Sequence, residues 1–328
     1  TAASVVTAQW IVTGCRGQLG RALTSLLESR GIAPLAVSHA ELDIADAGAV
    51  GAFFAERVSG GGTMLNAAAF THVDRCEREP EMAERCNAIA PEILAHACRA
   101  TGTRLVHLST DYVFSGEARE PYREDAGTGP CNVYGRTKLE GERRVLGASP
   151  DFLVVRSSWI FGAGRNFIAA ILDQAERRRS GQASGPLRVV DDQTGRPTYA
   201  RDLAQALLAL LEADARGLYH VANAGIATWW DLARFCLDET GYAELSIERI
   251  RTEALGLPAR RPRWSVLDCS RAEALGVRMR GWKEAVRAHL HASDGPAAHA
   301  ASSREVTERA SGPRPQRATS EQGGERES

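Results

Sequence analysis

Tyr134 and Lys138 stand four residues apart in the stretch Asn132-Val133-Tyr134-Gly135-Arg136-Thr137-Lys138, which reads as the start of a helix. Residues at that spacing project from one helix face. A free phenol, with a pKa of about 10, keeps its proton at pH 7. A nearby ammonium favours the phenolate and draws that value down. The pair is therefore a compact acid/base device for an oxygen on a substrate. Tyrosine and lysine also fall four apart by chance in many helices, so the rest of the chain must decide what the pair means.

A second chemical feature lies near the start. Trp10-Ile11-Val12 is a short apolar run, followed by Thr13 and then Gly14-Cys15-Arg16-Gly17-Gln18-Leu19-Gly20. A helical stripe of Leu19, Leu23, Leu26 and Leu27 follows. Strand, glycine turn and helix in this order make a cradle for a dinucleotide. Gly14 permits the tight turn, Gly17 lets backbone N–H groups approach a pyrophosphate, and Gly20 lets the helix pack closely. Pro34-Leu35-Ala36-Val37 reads as the second strand. An acidic residue at its end would favour NAD by holding a ribose hydroxyl; Ser38-His39 stands there instead, with Glu41 and Asp43 later. Arg16, inside the turn, is placed to meet a 2′-phosphate, so the expected cofactor is NADPH, with NADH possible.

The remaining elements must position these groups. Thr63-Met64-Leu65-Asn66 reads as a strand running into Ala67-Ala68-Ala69, whose small side chains leave room for a flat ligand. A helix is expected from about Pro80 to Arg99. Arg104-Leu105-Val106-His107-Leu108 is another strand, ending in Ser109-Thr110-Asp111-Tyr112, and Asp151 to Arg156 is a further one. A hydroxyl at a strand's carboxyl end belongs at the ligand edge of such a sheet. The alternation predicts an α/β fold, a Rossmann-type doubly wound parallel sheet, with a smaller C-terminal substrate-binding domain.

From Ser157 the pattern breaks up. Ser157–Gly162 and Gly164–Phe167 read as loops, Leu187–Val190 and Gly217–Val221 as short strands, Arg201–Glu212 as a helix, and Thr228 as the cap of another. Ala259-Arg260-Arg261-Pro262-Arg263 is a basic loop whose arginines are suited to a diphosphate. The expected division is residues 1–156 for the dinucleotide, with segments of about 187–221 returning to that domain, and 157–292 mainly for substrate. Residues 293–328 shift to Ala, Ser, Gly, Pro, Arg and Glu, with Val306 the one sizeable apolar residue, and are expected to be a disordered tail.

The 328 residues are 44% hydrophobic and 25% charged, with a formal net charge of −1. That balance gives no field toward nucleic acid or an anionic membrane. No apolar run has membrane-spanning length. The cysteines at 15, 76, 86, 98, 131, 236 and 269 contain no Cys-x-x-Cys pair and suit reduced thiols. A cytoplasmic protein is expected.

Taken together these pieces resemble the extended short-chain dehydrogenase/reductase superfamily and, within it, the dTDP-4-dehydrorhamnose reductases. The likeness is carried by Gly14–Gly20, Asn66–Ala69 before Val73-Asp74, Ser109–Phe114, Pro130–Lys138, Arg156–Trp159, Asp192–Thr198, Gly217–His220 and Ala259–Pro262. It runs from about Gln9 to Leu290. The resemblance implies NAD(P)H-dependent reduction of the C4 ketone of dTDP-6-deoxy-L-lyxo-4-hexulose to dTDP-L-rhamnose. Tyr134 would give the proton. Lys138 would hold the nicotinamide ribose and lower the tyrosine pKa, and Thr110 would take the place of the superfamily's usual serine. By the same likeness Thr110, Asp111, Tyr112 and Trp159 would line the sugar pocket. Gly14, Gly17, Gln18, Leu19, Gly20, Asp43, Ile44, Ala69, Phe70 and Thr71 would join Tyr134 and Lys138 around the dinucleotide. Some family members are dimers with interface magnesium, for which no ligand cluster is assignable here; a monomer or homodimer is expected. Two other readings stay open: a nucleotide-sugar epimerase or dehydratase, and a non-catalytic regulatory subunit resembling methionine adenosyltransferase beta. Thr110-Asp111-Tyr112, where dehydratases carry Asp-Glu after the threonine, argues against a dehydratase. The intact Tyr/Lys pair argues against the regulatory subunit.

Overall fold

The computed structural model describes residues 9–292. The segment expected to be a disordered tail lies outside them. The chain starts with β1 (Trp10–Thr13), the glycine turn and α1 (Gln18–Ser29), followed by β2 (Leu35–Val37). Then come α2 (Ala47–Arg57), whose first N–H groups are capped by Asp46, and β3 (Thr63–Asn66). Next are α3 (Val73–Arg78), α4 (Pro80–Glu84) and α5 (Ala90–Thr101), with a π-helical turn at Arg85–Ile89 between the last two. The helix expected over about 80–99 is therefore interrupted by one wide turn. β4 (Arg104–Thr110), α6 (Val133–Ala148) and β5 (Leu153–Ser157) complete the first part.

The main sheet has the order β2, β1, β3, β4, β5 and then Gly217–His220. Every pairing in it is parallel. Successive strand residues point to opposite faces, and both faces are covered. Val12, Leu65, Val106 and Leu153 pack with Leu19, Leu23 and Leu27 of α1 and with Leu203 and Leu207. Ile11, Met64, Leu105 and Val154 pack on the other face with Phe53, Phe54 and Leu94. A sheet buried on both faces needs continuous apolar strands, which is why these segments carry no polar alternation. The chain leaves β1 for β2 on one side and returns to β3 on the other. The crevice at the carboxyl ends of β1 and β3 is thus the switch point where such sheets take ligands.

After β5 the chain builds a smaller layer. Ile160–Phe161 pairs with Thr198–Tyr199, so the stretch expected as loop holds a short strand. Leu187–Val190 pairs with Ile247–Ile250 in a separate two-stranded sheet and does not return to the main one. What returns is the helix Ala200–Glu212, packed on α1, and the edge strand Gly217–His220. The helices Phe167–Arg179 and Trp229–Glu239 cover the small sheet through Ile171, Ala175, Ala233 and Leu237. Thr228 caps the second of these with a reciprocal Asp231 contact, as its sequence position predicts.

Candidate active site

The crevice at the switch point contains a cavity of about 470 Å³ lined by Thr13, Gly14, Arg16, Gly17, Val37, Ser38, His39, Ala40, Leu42, Ile44 and Ala67–Ala69. Gly14 has φ +68°, and a Cβ there would lie 2.7 Å from the Ala68 nitrogen. A Cβ on Gly20 would lie 2.1 Å from the Gly14 carbonyl oxygen. The turn therefore takes this shape without strain only with glycine at both positions. Gly17 is the N-cap of α1 and offers no side-chain cap, so the first N–H groups of the helix are left for an anionic ligand. These features fit a dinucleotide pyrophosphate.

Four buried side-chain oxygens without hydrogen-bond partners stand at this edge of the sheet: Gln18 Oε1, Ser109 Oγ, Asp111 Oδ2 and Ser157 Oγ. They are four of nine such nitrogen and oxygen atoms among the described residues, and at this edge they are open to a ligand.

Not every residue expected around the dinucleotide lines this cavity. Gly14, Gly17, Ile44 and Ala69 do. The Leu19 side chain is in the hydrophobic core, because it belongs to the buried stripe of α1. Asp43 is paired with Arg85 at 2.8 Å. Phe70 packs beside Cys76, Ala83 and Val133, while its backbone N–H and C=O are both bonded by the Asn87 amide. Gln18, Gly20 and Thr71 lie outside the lining as well. At the end of β2 the Ser38 N–H and hydroxyl both donate to Glu41 Oε2, at 2.9 and 2.6 Å. These bonds, with the Arg16 charge contributing, hold the Glu41 carboxyl below its usual pKa. Arg16 lines the same cavity as Val37, Ser38 and His39 at the end of β2.

Tyr134 lies in the first turn of α6, whose N-cap Asn132 accepts from the Gly135 N–H at 2.7 Å. Its ring meets Tyr112 edge to face, with centroids 5.7 Å apart. α6 is set by two close approaches: a Cβ on Gly135 would be 2.0 Å from the Tyr112 carbonyl oxygen, and one on Gly141 would be 2.1 Å from that of Asn87. The Asn87 carbonyl belongs to the π-helical turn. Burial pushes the Tyr134 phenol above its ordinary pKa; a hydrogen bond with Thr110 opposes this, and Asp111 and Cys76 add to it. The expected lowering by lysine does not appear: exclusion from water dominates, and Lys138 is not among the groups acting on the phenol. Lys138 Nζ donates to the Leu108 carbonyl oxygen at 2.5 Å and lies 3.4 Å from His107 Nε2. Burial lowers its pKa to about 8.

Thr110 ends β4, and its hydroxyl donates to Asp111 Oδ1 at 3.0 Å. Asp111 is buried and its pKa rises to about 7, chiefly through burial. Its Oδ2 has no partner within hydrogen-bond reach, although the Ser265 side chain is near enough to oppose that rise. Trp159 adopts φ 47°, a strained conformation for a bulky residue. Its ring stacks on Trp229 at 3.7 Å and lies against the Gly195 backbone, where a Cβ would come within 2.6 Å. Held strain of this kind concentrates at ligand sites. The basic loop differs from expectation. Arg261 is bound bidentately by Asp74, at 2.9 and 2.6 Å, and Arg263 pairs with Glu253. The Arg260 carbonyl oxygen accepts from Asn132 at 2.7 Å, so the loop braces the start of α6.

The RmlD substrate binding domain family matches residues 8–294. The dTDP-4-dehydrorhamnose reductase of Streptomyces griseus is 44% identical over 286 residues, 85% of this chain and 91% of that protein. The chain belongs to the dTDP-4-dehydrorhamnose reductase family. The solved dTDP-4-dehydrorhamnose reductase of Clostridium acetobutylicum superposes with a TM-score of 0.80 at 35% identity, over 86% of this chain and 98% of that one. The Bacillus anthracis reductase in complex with NADP gives a TM-score of 0.78 at 31% identity, over 85% and 97%. This chain is an oxidoreductase with a Rossmann-type sheet.

Within this reductase chain, three side chains link the elements around the site without having been given a role from the sequence: Asn66, named there only as a strand end and motif residue, Asn87 and His107. Each is an uncharged group fully buried beside the site. One signal was available. Only Lys138 and Lys283 are lysine among 40 Lys and Arg residues. A chain that otherwise uses arginine keeps lysine at the buried position, where a group able to lose its charge is needed.

Proposed function

We propose that the chain reduces the C4 ketone of a dTDP-4-dehydro-6-deoxyhexose with NADPH, the L-lyxo sugar that gives dTDP-L-rhamnose being the best-supported substrate. The observation that carries this reading is a protonated, half-buried Tyr134 phenol beside Thr110 and Asp111, on the carboxyl edge of the strand next to the dinucleotide crevice. Gly14, Gly17 and the free N–H groups of α1 would hold the pyrophosphate, Arg16 the 2′-phosphate, and Lys138 the ribose nearest the reacting carbon. When bound, NADPH supplies the hydride. As the C4 oxygen gains charge, Tyr134 gives it a proton, and Thr110 orients that oxygen. An alkoxide is a stronger base than a phenolate, so the transfer is downhill even from a phenol raised by burial. Asp111, with one oxygen unpartnered, and Trp159 would hold the sugar. In this reading residues up to 156 form the dinucleotide domain, together with the helix Ala200–Glu212 and the strand Gly217–His220, and the rest binds the sugar nucleotide.

The test is direct. Purified protein given dTDP-4-dehydro-6-deoxy-L-mannose should oxidise NADPH one for one and yield the L-rhamno product by NMR. Turnover of the D-xylo 4-keto sugar alone would reject the assigned substrate.

Arg16→Ala should raise the KM for NADPH about tenfold and leave that for NADH within about twofold, because one charge-assisted contact to a phosphate is lost. Steady-state kinetics with both cofactors checks this.

Asp111→Asn should raise Tm at pH 8 by roughly 5 °C, with the gain shrinking toward pH 5. The folded carboxyl gives up its proton near pH 7, and a free aspartate near 3.8. Between these values the folded state holds the extra proton, so stability falls as pH rises and the full cost of the buried carboxylate is present above about 7. Melting curves across that range measure it.

A further inference from the structure

A fully buried chain of polar side chains runs from the dinucleotide crevice to Lys138, and its hydrogen-bond logic has one solution. The Ala68 backbone N–H, which can only donate, lies 3.1 Å from Asn66 Oδ1. The Thr13 hydroxyl donates to the same oxygen at 2.7 Å. These two donors fix the amide: its oxygen faces the crevice wall and its NH2 faces His107 Nδ1 at 3.0 Å. An amide NH2 only donates, so Nδ1 must carry the lone pair. The neutral imidazole then has its proton on Nε2, which lies 3.4 Å from Lys138 Nζ. Burial, and then the lysine's charge, hold His107 well below its ordinary pKa, in keeping with a neutral ring.

We propose that His107 is a positioning residue for Lys138, locked by Thr13 and Asn66 as the Nε2–H tautomer, whose N–H faces the lysine nitrogen and favours the amine over the ammonium. An ammonium has no lone pair to accept that N–H; an amine has one, and still donates to the Leu108 carbonyl. The other charged group facing Nζ is Glu142, one turn along α6, which favours the ammonium. Its carboxylate is bound on both oxygens by Arg156 of β5, at 2.9 and 2.7 Å, which blunts that pull. His220, beyond Arg156, touches the guanidinium and not the lysine. Tyr134, on the same helix face, is protonated. Burial already lowers the lysine, and the facing N–H adds to that, making it a group that exchanges its proton near neutrality rather than a permanent charge. Because Ala68 belongs both to the crevice wall and to this chain of bonds, the same backbone N–H that shapes the dinucleotide floor sets the lysine's state. The catalytic meaning rests on the role given to Lys138 above; the tautomer does not.

The experiment needs no turnover, so its failure is separable from failure of the proposed reaction. In long-range 1H–15N spectra of the 15N-labelled protein, His107 should show a protonated Nε2 and a bare Nδ1 from pH 6 to 9. Its signals are identified by their loss in His107→Gln or, if that variant does not fold, by their shift in Asn66→Asp. In protein labelled at the lysine ε-carbon only two signals exist, and Lys283→Arg removes one; the other should titrate near pH 8. Asn66→Asp offers a carboxylate to Nδ1, so the imidazole proton should move there, Nε2 should accept from the lysine, and the Lys138 midpoint should rise by about one unit or more. A protonated Nδ1 or an imidazolium in the unaltered protein overturns the proposal. So does a raised lysine midpoint in Asn66→Asp with Nε2–H retained, which charge alone would produce. A tautomer change that leaves the lysine midpoint unmoved overturns the link between the two.

Discussion

Tyr134→Phe is expected to lower kcat about 10³-fold, the middle of the range for a positioned proton donor, while the Kd for NADPH stays within about twofold. The ring packs edge to face against Tyr112, a contact phenylalanine keeps, so the fold should survive and the loss should report the hydroxyl. Thr110 and Asp111, the proposed sugar contacts, are unchanged in the variant, so the KM for the sugar should change little. Pre-steady-state hydride transfer with the dTDP-4-keto sugar is the measurement. A variant within tenfold of the parent rate would remove Tyr134 from the chemistry, whatever its place in the fold.

Gly20→Ala is expected to weaken NADPH binding about 100-fold and to lower Tm. The added methyl would sit 2.1 Å from the Gly14 carbonyl oxygen and 2.7 Å from the Cys15 Cα. Both are backbone, so neither can swing aside, and overpacking of this kind costs about 1–3 kcal/mol. The strain falls on the glycine turn, the proposed pyrophosphate cradle, rather than on the core. The affinity loss should therefore exceed what the Tm shift alone suggests. Fluorescence titration with NADPH beside a melting curve separates the two effects.

The sheet was legible because its signals are local. Apolar runs at Trp10, Thr63, Arg104 and Leu153 stop at small or hydroxyl residues, and each became a parallel strand. The two layers of core follow from strands buried on both faces. Of the candidate site, the positions of Tyr134, Lys138, Thr110 and the glycine turn in the fold were legible. Its walls were less so. Leu19 and Phe70 were placed at the cofactor by position in a motif, but their apolar side chains turn into core, which no motif spacing reveals. Arg261 seemed suited to a diphosphate until Asp74, nearly two hundred residues earlier in the chain, proved to hold it on both nitrogens. The direction of the Tyr134 shift was misjudged for a related reason. Spacing puts Lys138 on the same helix face, but its nitrogen is bonded to Leu108 and His107, and exclusion from water is a property of the assembled fold. His107 carries no motif and Asn66 only opens one, and their meaning as buried links appears only when β1, β3 and β4 lie side by side.

The two glycines of α6 have a consequence for how this scaffold diversifies. Main-chain oxygens of Tyr112 and Asn87 wedge that helix at either end of the segment from Gly135 to Gly141. Its pitch against the sheet cannot be adjusted by exchanging side chains elsewhere. The reach of the phenol is in effect a hard-wired gauge. In the proposed reading, selectivity for one hexose over another would be retuned away from that helix, around Trp159 and its stacking partner Trp229. A mutant library confined to that region should change which sugars are accepted and leave untouched the ruler by which they are measured.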